Sequence, residues 1–202
     1  MKVIGLTGGI ATGKSTASKT LKNLGAVIWD ADEVSRKVVR PGQPGYYALK
    51  KEFGDDIFGT DGKLDRKTLA KRVFGRQEEL LKLNRTLHPI ILMDLVECLK
   101  KWRLEKVKVV IVDCPLLFES GADRGCDEIW VLSCGEDEQL RRVMARDRLS
   151  EEEAVHRIES QMSDAERRRR ATRVIDTSGL EEDTQRAITA YYEEALEEEE
   201  GA

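Results

Sequence analysis

Residues 8–15 read Gly-Gly-Ile-Ala-Thr-Gly-Lys-Ser and match the pattern G-x-x-x-x-G-K-[ST]. Each residue type in that pattern has a task in holding a polyphosphate. Gly8, Gly9 and Gly13 let backbone N–H groups converge on phosphate oxygens. The helix that should follow adds the positive end of its dipole. Lys14 can reach the β- and γ-phosphates, and Ser15 offers a hydroxyl to Mg²⁺. The chemistry these residues can do is to bind a nucleoside triphosphate.

Transfer of a phosphoryl group needs more than a cradle. It needs a metal, a group that orients the acceptor hydroxyl, and positive charge near the moving phosphoryl. Asp30 and Asp32 lie directly after a short apolar run, where a parallel strand would deliver them to a ligand crevice. They can also simply cap a helix over residues 33–39, with Asp32 as its N-terminal residue. The run Val109-Val-Ile-Val112 followed by Asp113 has the form of a Walker B strand, whose carboxylate would hold Mg²⁺ directly or through water. The loop Cys114-Pro-Leu-Leu-Phe-Glu119 that follows is either a packed connection or a wall of an acceptor pocket. Positive charge is concentrated in Arg141, Arg142, Arg146, Arg148, Arg157 and the run 167–170. Singly each arginine suits a solvated helix face; together they suit a lid that closes over a triphosphate.

Elements must carry these residues. Apolar runs at 3–6, 27–29, 107–112 and 129–132, and a fifth at 173–175, alternate with helical stretches. This predicts an α/β fold, a three-layer parallel sheet of the P-loop NTPase type with a helical acceptor-binding insertion and a helical lid. The whole chain, 1–202, is expected to be a single domain. Its core takes in about 1–40, 105–135 and 172–202, the insertion about 41–104, and the lid about 136–171. Within the insertion, residues 46–53 read as a short helix and Asp61-Gly62 as a turn. An apolar stripe from Leu80 through Leu87, Ile91 and Leu95 to Trp102 reads as a long helix that Pro89 should break or kink near His88. Ser150-Glu-Glu-Glu153 and Ser163-Asp-Ala-Glu166 both have the form of capping boxes. Residues 181–200 read as a last helix whose acidic end is a solvated tail.

Composition sets the class. The chain is 36% charged and 40% hydrophobic with a net charge of −4, which argues against nucleic acid as a partner. Cys98, Cys114, Cys126 and Cys134 show no metal-ligand or disulfide spacing and fit reduced thiols. No apolar run approaches a membrane span, and because the sequence opens straight into a strand no signal peptide is expected. A cytoplasmic protein with no membrane partner is expected, and its oligomeric state is open.

The chain also resembles the dephospho-CoA kinase family. The likeness runs from Met1 to Gly179 and rests on LTGGIATGKS at 6–15, DAD at 30–32, DGKLDRKTLAKRVF at 61–74, LHP at 87–89, DCPLLFE at 113–119 and MARDRLSEEEAVHRIESQM at 144–162. The resemblance implies transfer of the γ-phosphoryl of ATP to the ribose 3′-hydroxyl of 3′-dephospho-CoA. It implies Asp32 as the carboxylate that takes or orients the hydroxyl proton. Lys14 and the backbone of 11–16 would hold the phosphates, with Ser15 on Mg²⁺. Arg66, His88 and Pro89 would lie on the acceptor side, and Leu116, Leu117 and Glu119 would line its pocket. Arg142 and Arg146 would come from the lid. His88 before a proline fits a structural role in the helix break equally well.

The sequence departs from the family pattern at two places. Ala11 and Thr12 stand where Gly and Ser are usual, and with Gly8, Gly9 and Gly13 in place Ala11 is expected not to need a positive φ. Thr177-Ser178-Gly179 follows Asp176 where an asparagine near the adenine is usual. Asp113 is not uniformly acidic in the family. Other classes fit less well. A GTPase-like switch would need Asn-Lys-x-Asp, which does not occur, and a nucleic-acid ATPase using residues 167–170 conflicts with the acidic net charge. Another small-molecule kinase on the same scaffold is the nearest alternative.

Overall fold

The computed structural model describes residues 1–73 and 75–201; Phe74, the last residue of the 61–74 motif, and Ala202 lie outside the described residues. Five strands, β1 (Lys2–Gly8), β2 (Val27–Asp30), β3 (Val109–Asp113), β4 (Glu128–Ser133) and β5 (Arg173–Asp176), form one sheet in the order β2-β3-β1-β4-β5. The ladders of β1 with β3, β1 with β4 and β4 with β5 are parallel. Parallel pairing needs crossover helices, and the apolar runs are separated by helical sequence throughout. The helices are α1 (Lys14–Asn23), α2 (Ala31–Lys37), α3 (Pro44–Phe53), α4 (Arg66–Val73), α5 (Gln77–Leu104), α6 (Leu117–Ser120), α7 (Glu136–Asp147), α8 (Glu151–Glu159), α9 (Asp164–Arg170) and α10 (Glu181–Gly201).

The described chain divides into two compact units, residues 1–29 with 105–202 and residues 30–104. In the first, strand periodicity sends Ile4, Leu6, Val109, Ile111, Trp130, Leu132 and Ile175 to one face, where they bury against Ala17 and Leu21 of α1 and Ile188, Tyr192 and Ala195 of α10. The other face has Gly5 opposite Leu117, whose Cδ2 lies 2.7 Å from where a Cβ on Gly5 would stand. Each buried Leu or Ile contributes roughly 1.5–3 kcal/mol relative to exposure. The acidic end of α10 is solvated, with Glu197, Glu198 and Glu200 exposed, but it is ordered helix and not a frayed end. The helix runs to Gly201, the Met1 amino group meets Glu199 at 2.5 Å, Lys108 meets Glu200 at 2.5 Å, and Lys2 pairs with Glu198. These three cations offset part of the acidic run's self-repulsion, a small contribution for pairs at the surface.

The second unit begins at Asp30 and is helical. Its apolar interior includes Val34, Leu49, Phe53, Ile57, Leu69, Leu95 and Leu99. A side chain on Gly45 would stand 2.6 Å from the Val38 carbonyl, so only glycine fits there. Of the break or kink predicted near His88, the break does not occur: α5 continues as one helix through Pro89. Proline's fixed φ is compatible with a helix, and the cost is the lost amide donor plus ring crowding, about 3 kcal/mol. Packing of α5 against α2, α3 and α4 outweighs that cost.

Candidate active site

The segment after β1 turns at the glycines and enters α1 at Lys14. A Cβ on Gly8 would meet Thr12 Oγ1 at 2.5 Å and the Leu132 carbonyl at 2.8 Å, so the close approach of loop to β4 requires glycine. Gly13 has φ 87° and caps α1 in the left-handed region. Ala11 corrects the sequence expectation: its φ is 60°. The loop needs that turn whatever residue sits there, and for an L-residue the left-handed region costs roughly 1–2 kcal/mol. Surrounding bonds hold it: Thr12 N–H and Oγ1 both donate to the Gly9 carbonyl, at 3.3 and 2.9 Å. Thr177 Oγ1 lies 3.0 Å from the Thr12 carbonyl and 3.2 Å from that of Ser133. The Thr16 amide donates to the Gly13 carbonyl at 3.0 Å, whereas the Lys14 and Ser15 amides ahead of it open the helix, which makes this end a seat for anions.

Lys14 Nζ donates to Asp113 Oδ1 at 2.5 Å, and Ser18 Oγ donates to Asp113 Oδ2. Asp113, at the end of β3, is buried with both oxygens engaged, while Ser15 is exposed on the first turn of α1. No group of three or more His, Cys, Asp or Glu that could hold a metal by itself occurs among the described residues. A lone hydroxyl beside a phosphate seat fits Mg²⁺, which commonly takes few protein ligands and fills its shell with water and phosphate oxygens.

The arginines divide by helical geometry. In α9 four consecutive arginines point about 100° apart. Arg167 turns inward and is 3% exposed; its Nη1 donates to the Met162 carbonyl and lies 3.4 Å from where a Gly9 Cβ would stand. Its Nε has no partner among the described residues, and burial pushes the guanidinium pKa below its usual value despite Glu119 and Asp164 nearby. Arg168 donates to Ser133 Oγ at 3.2 Å, Arg169 pairs outward with Glu166, and Arg170 pairs with Asp123 while stacking 4.1 Å from the Phe118 ring centroid. Arg142 lies on the flank of the loop. It donates to Glu138 and to the Thr177 carbonyl, both at 2.6 Å, and lines a cleft of about 240 Å³ with Gly13, Thr16, Gly179 and Thr184. The guanidinium of Arg146 is engaged by Asp147, at 2.8 and 2.9 Å.

Sequence reasoning placed Arg167 in the lid run 167–170 but did not single it out as the buried cation against the loop. Its position in an arginine run hid which member faces inward. It also missed Gln139 and Gln161, whose amides both reach Ile10; neutral residues on polar helices carry no signal. Leu117 is a correction. It is fully buried against β1 and belongs to the core, whereas Leu116 and Glu119 on either side are exposed. Only one of the two expected capping boxes is complete. Ser150 and Glu153 bond reciprocally, but Ser163 only accepts from the Glu166 amide.

In the second unit Asp30 takes the capping role: its Oδ1 accepts from the Glu33 amide at 3.0 Å. Asp32 lies exposed in the first turn of α2, and its carboxylate has no hydrogen bond or ion pair among the described residues. Arg66 is exposed at the start of α4, His88 is half-buried, and Pro89 is exposed, both on α5.

A glycine loop leaving the central parallel strand, a lysine and serine opening the next helix, and a carboxylate closing the neighbouring strand define a P-loop phosphotransferase. Likeness to shikimate kinase from Acinetobacter baumannii, with a TM-score of 0.54 at 16% identity over 98% of this chain and 94% of that one, reflects the fold alone. The particular family follows from closer matches, and the chain belongs to the dephospho-CoA kinases: the family model matches residues 2–183. A dephospho-CoA kinase of Carboxydothermus hydrogenoformans is 44% identical over 93% of this chain and 91% of its own. The dephospho-CoA kinase structure from Campylobacter jejuni covers 98% of both chains with a TM-score of 0.75 and 28% identity. A Thermus thermophilus protein of known crystal structure matches with a TM-score of 0.78 at 35% identity, covering 96% of this chain and 97% of that one.

Proposed function

We propose that the chain transfers the γ-phosphoryl group of ATP to the ribose 3′-hydroxyl of 3′-dephospho-CoA, giving CoA and ADP. The observation that carries this reading is the family match across residues 2–183 together with a loop whose Lys14 stands ready beside Asp113. Loop amides from Ala11 to Thr16 bind the triphosphate, and Lys14 neutralises charge on the β- and γ-phosphates. Arg167 adds a buried cation over the first half of the loop, where a desolvated charge acts most strongly on a developing anion. Arg142 orients the loop from its flank through Thr177. Thr177 takes over the place of the usual asparagine as a clamp on the loop, with its side chain on backbone carbonyls. Mg²⁺ would be held by the Ser15 hydroxyl, with Asp113 behind it, and supplies charge neutralisation to the phosphates.

Asp32 accepts the acceptor's hydroxyl proton. It is the free carboxylate of the pair, because Asp30 is spent on the helix cap. In the second unit Arg66, His88 and Pro89 are assigned to dephospho-CoA; in the first, the exposed Leu116 and Glu119 of the α6 loop are assigned to the acceptor.

The test offers ATP and Mg²⁺ with dephospho-CoA, AMP, CMP or pantothenate, and follows ADP release and product mass. ADP formed in step with singly phosphorylated dephospho-CoA is the expected result. Faster turnover of any other acceptor would replace this reading with the alternative of another small-molecule kinase on the same scaffold.

A further inference from the structure

Ile10 occupies the turn between Gly9 and Ala11, and both of its backbone polar groups are bonded from α7 and from the segment after α8. Its N–H donates to Gln161 Oε1 at 2.9 Å, and its carbonyl accepts from Gln139 Nε2 at 2.9 Å. A backbone N–H can meet only an acceptor and a carbonyl only a donor, so each side-chain amide has one permitted orientation. Gln139 is buried in the first turn of α7, and Gln161 lies beyond the end of α8. Gly9 keeps the path open, since a Cβ there would stand 2.8 Å from Gln139 Nε2. The residue that follows Ile10 is Ala11, held at φ 60° without the freedom of glycine. A strained backbone persists only where its surroundings over-determine it, and here one side chain from α7 and one from the segment after α8 do so.

We infer that Gln139 and Gln161 are positioning residues that clasp Ile10 and hold the phosphate loop in its nucleotide-binding shape. Nucleotide affinity then depends on where α7 and α8 stand, although neither glutamine need touch the nucleotide. The inference rests on the reading that this loop seats ATP.

The test measures ADP binding by calorimetry, without any acceptor. Gln161→Glu keeps an acceptor for the Ile10 amide, whereas Gln139→Glu replaces a donor with a carboxylate that faces the Ile10 carbonyl. Because Gln139 is buried and Gln161 half-buried, the neutral Gln139→Met, which removes the donor without adding a charge, should also weaken ADP binding more than Gln161→Glu. Gln139→Glu should weaken ADP binding about tenfold more than Gln161→Glu, the scale of one buried bond lost. Adding Ala11→Gly to Gln161→Ala should recover about threefold or more of the lost affinity, because glycine reaches the left-handed region without strain. A purely structural role would not give that rescue. Equal weakening by the two glutamate variants, or no rescue by Ala11→Gly, would overturn the clasp. Failure of the wild-type chain to bind ADP would instead overturn the reading of the loop.

Discussion

Asp30 and Asp32 have the same chemistry and different uses. The Asp30 carboxylate accepts the Glu33 amide at 3.0 Å, while Asp32 has no such partner among the described residues. Asp30→Ala should therefore cost about 1 kcal/mol of stability through the lost cap. Asp32→Asn should leave ADP affinity near the wild-type value while turnover falls roughly 10²–10⁴-fold, the range of a general base removed. Stopped-flow or steady-state ADP release, run beside calorimetric ADP titration, checks both halves. Normal turnover in Asp32→Asn would remove it from the base role. The DAD motif was legible as a pair from sequence. Which member was spent on the helix end was not, because α2 starts at Ala31 and that register is decided by how β2 ends.

At the scale of elements, α5 shows how packing overrides a local rule. Its apolar stripe was plain in the sequence, and Pro89 argued for a break that packing does not allow. Pro89→Ala restores an amide donor in a helix interior and relieves the ring's crowding. The variant should be more stable by about 1–3 kcal/mol, read as a raised urea midpoint with an unchanged slope. A lowered midpoint would mean that the proline ring packs usefully on the helix surface. The arginine run of α9 teaches the complementary lesson. Its charge was legible, yet a run of identical residues cannot say which one faces inward. Helical rotation gives Arg167 to the loop, Arg169 to solvent and Arg170 to Phe118 and Asp123.

Across the whole molecule, the thiols link the sheet to pH. Burial pushes the Cys114 thiol up to about 11 and the Cys126 thiol up to about 12. Both lie above the ordinary thiol value of 9.0, so the folded state keeps protons that the unfolded state releases. Their contribution to stability is full below pH 9 and is lost as pH rises through about 11 and 12. Guanidinium unfolding at a series of alkaline pH values should show stability falling in that window, with a shallower fall in Cys126→Ala. An equal slope in the variant would show that other groups govern the alkaline loss. At neutral pH the same burial should leave both thiols unreactive toward a thiol reagent until the chain unfolds.

The sequence by itself determined the sheet, the loop and the family. Each rests on short-range signals: apolar runs of strand length, glycines at fixed spacing, and motifs whose members are chain neighbours. Only the tertiary structure decided that Ala11 takes a positive φ, that Leu117 is core, and that Arg167, Gln139 and Gln161 converge on the loop. Those outcomes depend on residues more than a hundred positions apart being brought together by parallel crossovers. The sheet order β2-β3-β1-β4-β5 puts the phosphate loop at the end of its middle strand. Ile10 meets Gln139 and Gln161 because folding places them there, and no local pattern in any of the three residues announces it.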